Sequence, residues 1–444
     1  MTFKDQYQTK LKSLTFKDQY QTKLKSLTEA ASQIQSNEVI LSNPVASMPI
    51  SLITAITKRY KEYENVKLYS AFVIHPFDFF TNPEVAEKIR FHSFFMGPLE
   101  RQLISYGTFS IDPVNFSNLD LLIEQRIKPT TFVSTVSEMD ADGYFNFGPM
   151  GVTIGDVGSK VAGRVIIQVN KNVPEVNGTH NKIHIDDVDI IVEQDEQLLE
   201  VPETPSSNID KKIAEWIVPH VRDGSTIQIG FGGLANAVSY GLDSKKDLSV
   251  HTEMITESMV YLTEKGVISG TIRGGFAMGT RKLYDFSGEN SQISIEPLHI
   301  VNDPSRIAQI DNFVSVNGCL MADLTGQVVS EGAGTRFISS VGGANDFVRG
   351  ATKSKGGQSF ICLPSTNKNE KTGEVTSNIV FSFPKATPVT VPRADVQYLV
   401  TEHGIADMFN RSIEDRVEEM ISIADSAFRE ELREQAIKAG YIKK

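Results

Sequence analysis

The sequence predicts an α/β protein of two open domains, each built on a largely parallel sheet. Short β-branched runs alternate with helical patterns, the signature of strands joined through crossover helices. That alternation stops at Gln194–Asn208, an acidic and then Pro/Ser-rich stretch with the composition of a linker, and then starts again. At 444 residues the chain is also too long for one ordinary domain. The expected division is therefore a first domain over 28–208 and a second over 209–444.

The N-terminus opens on a perfect repeat, in which Thr2–Leu14 (TFKDQYQTKLKSL) recurs as Thr15–Leu27. Within one copy, Phe3, Tyr7, Leu11 and Leu14 form an apolar stripe at helical spacing. Thirteen residues of helix rotate the second stripe by roughly 220° from the first. A straight helix would then carry two nearly opposed apolar faces, whereas a docking surface takes one. The segment 1–27 is expected to be peripheral, with one copy redundant.

After the repeat, Glu38–Leu41, Val66–Tyr69, Thr131–Val136 and Val165–Val169 read as buried strands. Ile50–Tyr60 and Asn82–Arg90 read as helices between them. Beyond the linker, Ile209–Val218 reads as an amphipathic helix and Asp223-Gly224 as a turn. Thr226–Ile229 reads as a strand, and Gly230–Gly233 as a glycine turn into a helix from Leu234. Ile413–Ala439, rich in Glu, Arg, Ala and Ile, reads as terminal helices.

Composition narrows the function. A net charge of −11 with thinly spread Lys and Arg argues against a general nucleic-acid surface. No apolar run approaches the length of a bilayer span, and the charged start is not a secretory signal, so a cytoplasmic protein with no membrane role is expected. Two cysteines, Cys319 and Cys362, are too few for a disulfide framework and read as buried small side chains. His251 and His403 each lie beside a glutamate but lack metal-ligand spacing, so no metal is expected.

Four features can carry chemistry. Strand, then Gly230-Phe231-Gly232-Gly233, then helix is an arrangement that binds phosphate or an oxyanion through backbone N–H groups, although a tight turn needs the same residues. Leu248–Ile255 (LSVHTEMI) is a strand with Glu253 near its carboxyl edge, where open α/β sheets bind ligands. Glu253 is a nucleophile, a base or a solvated charge on this pattern alone, and Glu257 is its bland competitor. Ser339–Gly350 (SSVGGANDFVRG) makes a sharp turn whose amides suit an oxyanion, or a structural turn in which Asp346 caps a helix. Val400–Ala406 (VTEHGIA) repeats the strand-end glutamate with Glu402.

These motifs, with LYDF, VNDPSRIA, VSVNGCLMADLTGQV and VSEMDADGYFNFG in order along the chain, resemble the acetyl-CoA hydrolase/transferase branch of the class I coenzyme A transferases. The resemblance spans about residues 30–440. It implies a CoA-transferase fold with the active site where the domains meet, no permanent cofactor, coenzyme A as substrate, and a homo-oligomer. Glu253 matches the family's nucleophile, which forms an acyl-glutamyl anhydride and then a glutamyl-CoA thioester. Gly230, Phe231, Gly232, Gly233 and Leu234 match its CoA-contacting loop, with the Phe231 amide as an oxyanion donor. Gly343 matches the second oxyanion glycine, with Ser339 beside it. Asn302 and Glu402 match polar residues of the acyl site, and Lys355 a lysine that contacts CoA. Ala344 and Ala235 depart from the Gln and Pro found in many relatives.

The implied activity is CoA transfer from a short-chain acyl-CoA to a carboxylate such as acetate, with butyrate or 4-hydroxybutyrate as the leading partner acids. An acyl-CoA hydrolase using the same site, a nicotinamide-dependent dehydrogenase built on the glycine loop, and a non-catalytic CoA-binding regulator are the alternatives.

Overall fold

The computed structural model describes residues 14–443. They form two compact units. The first holds the described chain up to Val114, then Asn118–Val201 and Gly275–His299; the second holds Asn115–Ser117, Pro202–Gly274 and the chain from Ile300 onward. Two excursions thus cross any linear division of the chain, a tripeptide at 115–117 and a stretch at 275–299.

In the first unit seven strands form one sheet: β1 (Val39–Ser42), β2 (Val66–Ser70), β3 (Ile89–Ser93), β4 (Phe109–Ile111), β5 (Thr131–Val136), β6 (Arg164–Val169) and β7 (Ile190–Glu193). Their order is β4-β3-β2-β1-β5-β6-β7, and every pairing is parallel. All six residues of β5 are buried, as expected for a central parallel strand covered on both faces. The expected helix over Asn82–Arg90 is real only as Pro83–Lys88, capped by the Asn82 side chain. Its last residues belong to β3 instead. Ile89 and Phe91 are buried there by a two-residue alternation that short-range helical spacing hides.

The second repeat copy is part of this unit rather than peripheral to it. Phe16–Lys23 is a helix capped by Thr15. Its buried contacts fall on Gln19 and Lys23, while Phe16, in the expected apolar stripe, stays exposed. The buried Lys23 ammonium donates to the Ile185 carbonyl at 2.6 Å, Tyr20 donates to Glu193 at 2.8 Å, and Leu24 bridges to Ile191 of β7. Backbone and polar contacts therefore decide which face of the helix docks. The first copy lies outside the described residues apart from Leu14.

The second unit's sheet includes β8 (Thr226–Ile229), β9 (Leu248–Ile255), β10 (Ile268–Ala277), β11 (Phe313–Gly318), β12 (Gln358–Cys362), β13 (Tyr398–Thr401) and β14 (Gly404–Asp407). They lie in the order β10-β9-β8-β11-β12-β13-β14. Strand β8 pairs in parallel with both β9 and β11, so the chain winds outward from it in two directions. Crevices at the carboxyl ends of strands flanking such a reversal are where open sheets bind ligands. The antiparallel β13–β14 hairpin closes one edge, and the terminal helices Ile413–Ile423 and Ser426–Lys438 pack over an apolar cluster that includes Leu399, Met420 and Leu432.

The segment read as a linker lacks regular structure over 194–207 but does not hang free. Ser206 Oγ donates to the Gly233 carbonyl, and Asn236 Nδ2 donates to Thr204 O. Ser207 then caps the helix Asn208–Ile217 in a capping box with Asp210. Cys319 is partly buried and Cys362 buried, both as free thiols. Among the described residues no helix is long and apolar enough to cross a membrane.

Candidate active site

The site is assembled in the second unit from three chain segments. The first is β9. Its β-branched and apolar residues hold it beside β8, and Glu253 stands two residues before its carboxyl end at Ile255 with partial exposure. The second is the turn after the short helix Leu298–Val301, which carries the fully buried Asn302. The third is the paired glycine turn that opens the helix Ala344–Ala351.

Asn302 Nδ2 donates to Glu253 Oε2 at 2.9 Å. Gly343 packs against the same two groups, and a β-carbon there would overlap both Glu253 Oε2 and Asn302 Nδ2. That close approach is why the residue is glycine. Its own φ of −106° is ordinary, and the left-handed turn falls on Gly342 at φ +67°. Glu253, Asn302 and Gly343, singled out separately in the sequence, are thus brought together.

Burial raises the Glu253 carboxyl to about 7 from an ordinary value near 4.5; the Asn302 hydrogen bond pulls it down, and the negative charge of Asp346 pushes it up. A carboxylate poised near neutrality and still reachable is suited to nucleophilic or proton-transfer work. Around the glycine turn several buried polar atoms have no hydrogen-bond partner: Ser339 Oγ, Ser340 Oγ, Asn345 Oδ1 and Asn302 Oδ1. Buried polar groups are seldom left unpaired in a folded chain, so such a set leaves hydrogen-bond capacity for a ligand or water beside the glycine turn.

The glycine loop after β8 continues the same edge. Gly230 N donates to Val316 O of β11, Gly232 takes the left-handed φ of +103°, and the helix begins at Gly233. A β-carbon at Gly233 would stand 2.8 Å from the Pro205 carbonyl oxygen, so the Pro/Ser-rich segment packs directly against this turn. Phe231 is 53% exposed at its tip, an unusual setting for a large apolar ring.

Two expected residues have other surroundings. Both Glu402 oxygens are engaged by Ser365, whose N–H donates to Oε2 at 2.9 Å and whose hydroxyl donates to Oε1 at 2.7 Å. Lys355 lies past the end of the helix Ala344–Ala351, its side chain 88% exposed and 4.0 Å from Asp311. Sequence reasoning did not find the roles of His251 and Asp346. The buried His251 donates from Nε2 to the Val301 carbonyl at 2.7 Å, which fixes the residue before Asn302. Asp346, read as a helix cap, is 3% exposed and bonded to Ser117, 229 positions away.

The fold and this edge define an α/β protein with open, mostly parallel sheets and a carboxylate site near a strand end. Two family models match the chain, the acetyl-CoA hydrolase/transferase N-terminal domain over residues 5–203 and its C-terminal domain over residues 279–436. The chain is 35% identical to a butyryl-CoA:acetate CoA-transferase of Anaerostipes caccae, covering 99% of this chain and 98% of that one. It is 33% identical to a 4-hydroxybutyrate coenzyme A transferase of Clostridium kluyveri, over 91% of this chain and 95% of that one. The crystal structure of RipA from Yersinia pestis superposes with a TM-score of 0.90 at 33% identity, covering 97% of this chain and 100% of that chain. The protein belongs to the acetyl-CoA hydrolase/transferase family and is an enzyme.

Proposed function

We propose that the enzyme transfers coenzyme A from a short-chain acyl-CoA to a carboxylic acid, with Glu253 as the covalent carrier. The observation that carries this reading is the reachable, near-neutral Glu253 carboxylate held by Asn302 against Gly343. A Glu253 oxygen attacks the thioester carbonyl, the C–S bond breaks, and CoA leaves as thiolate. The thiolate then attacks the glutamyl carbonyl of the anhydride, releasing the first acid and forming a glutamyl-CoA thioester. The acceptor carboxylate attacks that thioester, and the released thiolate attacks the acyl carbonyl of the new anhydride. This yields the new acyl-CoA and frees Glu253. Each step exchanges one activated acyl bond for another, which is what covalent carriage by a carboxylate accomplishes.

In this reading the amides of Gly343 and Phe231 face the developing oxyanion, and the Gly230–Leu234 loop meets coenzyme A. Ser339 and Asn302 line the acyl side, while Glu402 and Lys355 act farther out on the acid and on CoA. Butyryl-CoA with acetate is the first pair to assay, since the relatives named above use butyryl, acetyl or 4-hydroxybutyryl groups.

The test is borohydride reduction after incubation with butyryl-CoA. Peptide mass mapping should find the alcohol at Glu253, and a label at Glu257 or Glu402 would move the nucleophile. A product panel with acetate, propionate, 4-hydroxybutyrate and succinate then identifies the acceptor. Rapid CoA release without any added acid would make the enzyme a hydrolase.

A further inference from the structure

One buried polar chain at the site is not used by the reaction steps above. The Asp346 carboxylate, on the first turn of the helix Ala344–Ala351, accepts the Ser117 N–H at 3.0 Å and the Ser117 hydroxyl at 2.7 Å. The Asn302 side chain also stands close enough to stabilise that carboxylate. Ser117 belongs to the tripeptide 115–117, which is separately anchored to the glycine turn: Phe116 N donates to Gly342 O at 3.2 Å, and Asn115 bridges to Gly342. One short segment thus holds both the turn before Gly343 and the acid behind Asn302.

We propose that Asp346 is a positioning residue for the transfer reaction: clamped by Ser117, it fixes the Asn302 amide so that its N–H points at Glu253. The proposal rests on the reading of Glu253 as nucleophile. Its physical basis is that a carboxylate only accepts hydrogen bonds. The Asn302 Nδ2 donates to Glu253 Oε2, and the same side chain favours the ionised Asp346, which it can do only through an N–H. The reversed amide would set its oxygen against a carboxylate. The Asn302 Oδ1 atom is buried and, among the described residues, without a partner.

Burial raises the Asp346 carboxyl to about 6, while the Ser117 and Asn302 hydrogen bonds and the charge of Arg349, which pairs with Asp395 at 2.8 Å, favour its ionised form; the Asp346 charge in turn raises the Glu253 pKa. Replacing Asp346 by a neutral residue therefore has a signed consequence. It removes a like charge, so Glu253 ionises more readily and the acid limb of kcat/KM moves to lower pH.

The experiment compares wild type, D346N and S117A as full chains, with butyryl-CoA and acetate as substrates. Misplacing a reacting group by about 1 Å costs on the order of 10²-fold, so D346N should lower kcat by roughly 10- to 100-fold while KM for butyryl-CoA stays within about threefold. S117A, which keeps the Ser117 N–H, should lose about three- to tenfold in the same sense. The acid limb of D346N should fall by roughly half a unit. Loss of kcat without that shift, or a loss expressed in KM, would make Asp346 a plain support of the helix and overturn the proposal. So would a D346N enzyme with kcat within about threefold of wild type. If D346N does not fold, S117A decides alone on the same kcat-against-KM criterion. Borohydride labelling of the wild type separates the two readings: an unlabelled Glu253 sinks both, and a labelled Glu253 with normal D346N kinetics sinks only this one.

Discussion

Among the described residues, each unit holds one glutamate whose carboxyl is raised to about 7, mainly by desolvation: the fully buried Glu100 in the first and the partly exposed Glu253 in the second. Glu100 is fully buried and saturated. Val73 N and Gly97 N donate to its Oε2, at 3.0 and 2.6 Å, and Ser93 Oγ donates to Oε1 at 2.6 Å. Glu253 keeps partial exposure and, among the described residues, takes one hydrogen bond, from Asn302. Glu100 ties the end of β3 to the segment after β2 and has nothing left to offer a ligand. Glu253 has an oxygen to spare at a strand edge. A raised pKa by itself therefore does not distinguish the two groups; hydrogen-bond capacity left over does.

The largest contrast is in turnover. Glu253→Gln should cut transfer by about 10⁴-fold or more with the fold intact, because the amide cannot form the anhydride. Glu100→Gln should leave kcat within about twofold, its NH2 donating to Ser93 Oγ while its oxygen keeps both backbone donors. Steady-state assays of the two variants side by side check this. An active E253Q or a dead E100Q breaks the comparison.

The glycines beside the two acids sharpen it. Gly343→Ala puts a methyl group into Glu253 Oε2 and Asn302 Nδ2, and should lower kcat by roughly 10²-fold or more. A β-carbon at Gly97 meets Glu100 Oε2 and Phe72 at 3.4 Å, an ordinary contact. Gly97→Ala should then change activity and stability little, within about 0.5 kcal/mol. Equal damage at both positions would mean that the crowding at Gly343 is not specific to the site.

Proton linkage separates them next. A carboxyl at about 7 in the native state and near 4.5 when unfolded holds its proton longer in the folded chain. Stability contributed by Glu100 is therefore unaffected below the unfolded pKa and falls as pH rises from about 4.5 to about 7. Glu100→Gln removes that loss, so the variant should match wild type near pH 4 and exceed it at pH 8 by up to about 3 kcal/mol. Denaturant unfolding at the two pH values measures it. Activity should keep an acid limb near 7 in E100Q, since that limb belongs to Glu253. Its disappearance in E100Q would assign it to the wrong glutamate.

The smallest effect is expected at the N-terminus. Deleting Thr2–Leu14 should leave activity and thermal midpoint nearly unchanged, because the copy Thr15–Leu27 makes the contacts to Ile185, Glu193 and Ile191. Deleting Thr2–Leu27 removes those contacts and should lower the midpoint by several degrees, about 1–2 kcal/mol for a unit of this size. A several-degree drop on the shorter deletion would show that both copies are packed.

Much of the second unit is legible in local pattern. Thr226–Ile229 and Leu248–Ile255 are strands over the residues expected, because four to eight apolar or β-branched residues between turn signals have few other ways to fold. The glycine turn after β8 is legible for the same local reason. In the first unit the helix-to-strand change at Lys88–Ile89 was not, since helix and strand patterns overlap over such short runs. The docked face of Phe16–Lys23 was not legible either, because a buried lysine with a carbonyl partner breaks the apolar rule.

The sequence by itself determined the fold class, the strand that carries Glu253 and the two glycine turns, all features that live within about ten residues of chain. Only the tertiary structure decided that Asn302 reaches Glu253 across 49 positions and that Ser117 reaches Asp346 across 229. It also decided that Gly343 is glycine for closeness rather than for backbone angle, and that Glu100 is spent where Glu253 is not. Periodicity and turn chemistry report a residue's neighbours along the chain, whereas burial and hydrogen-bond saturation depend on partners that only folding brings within 3 Å.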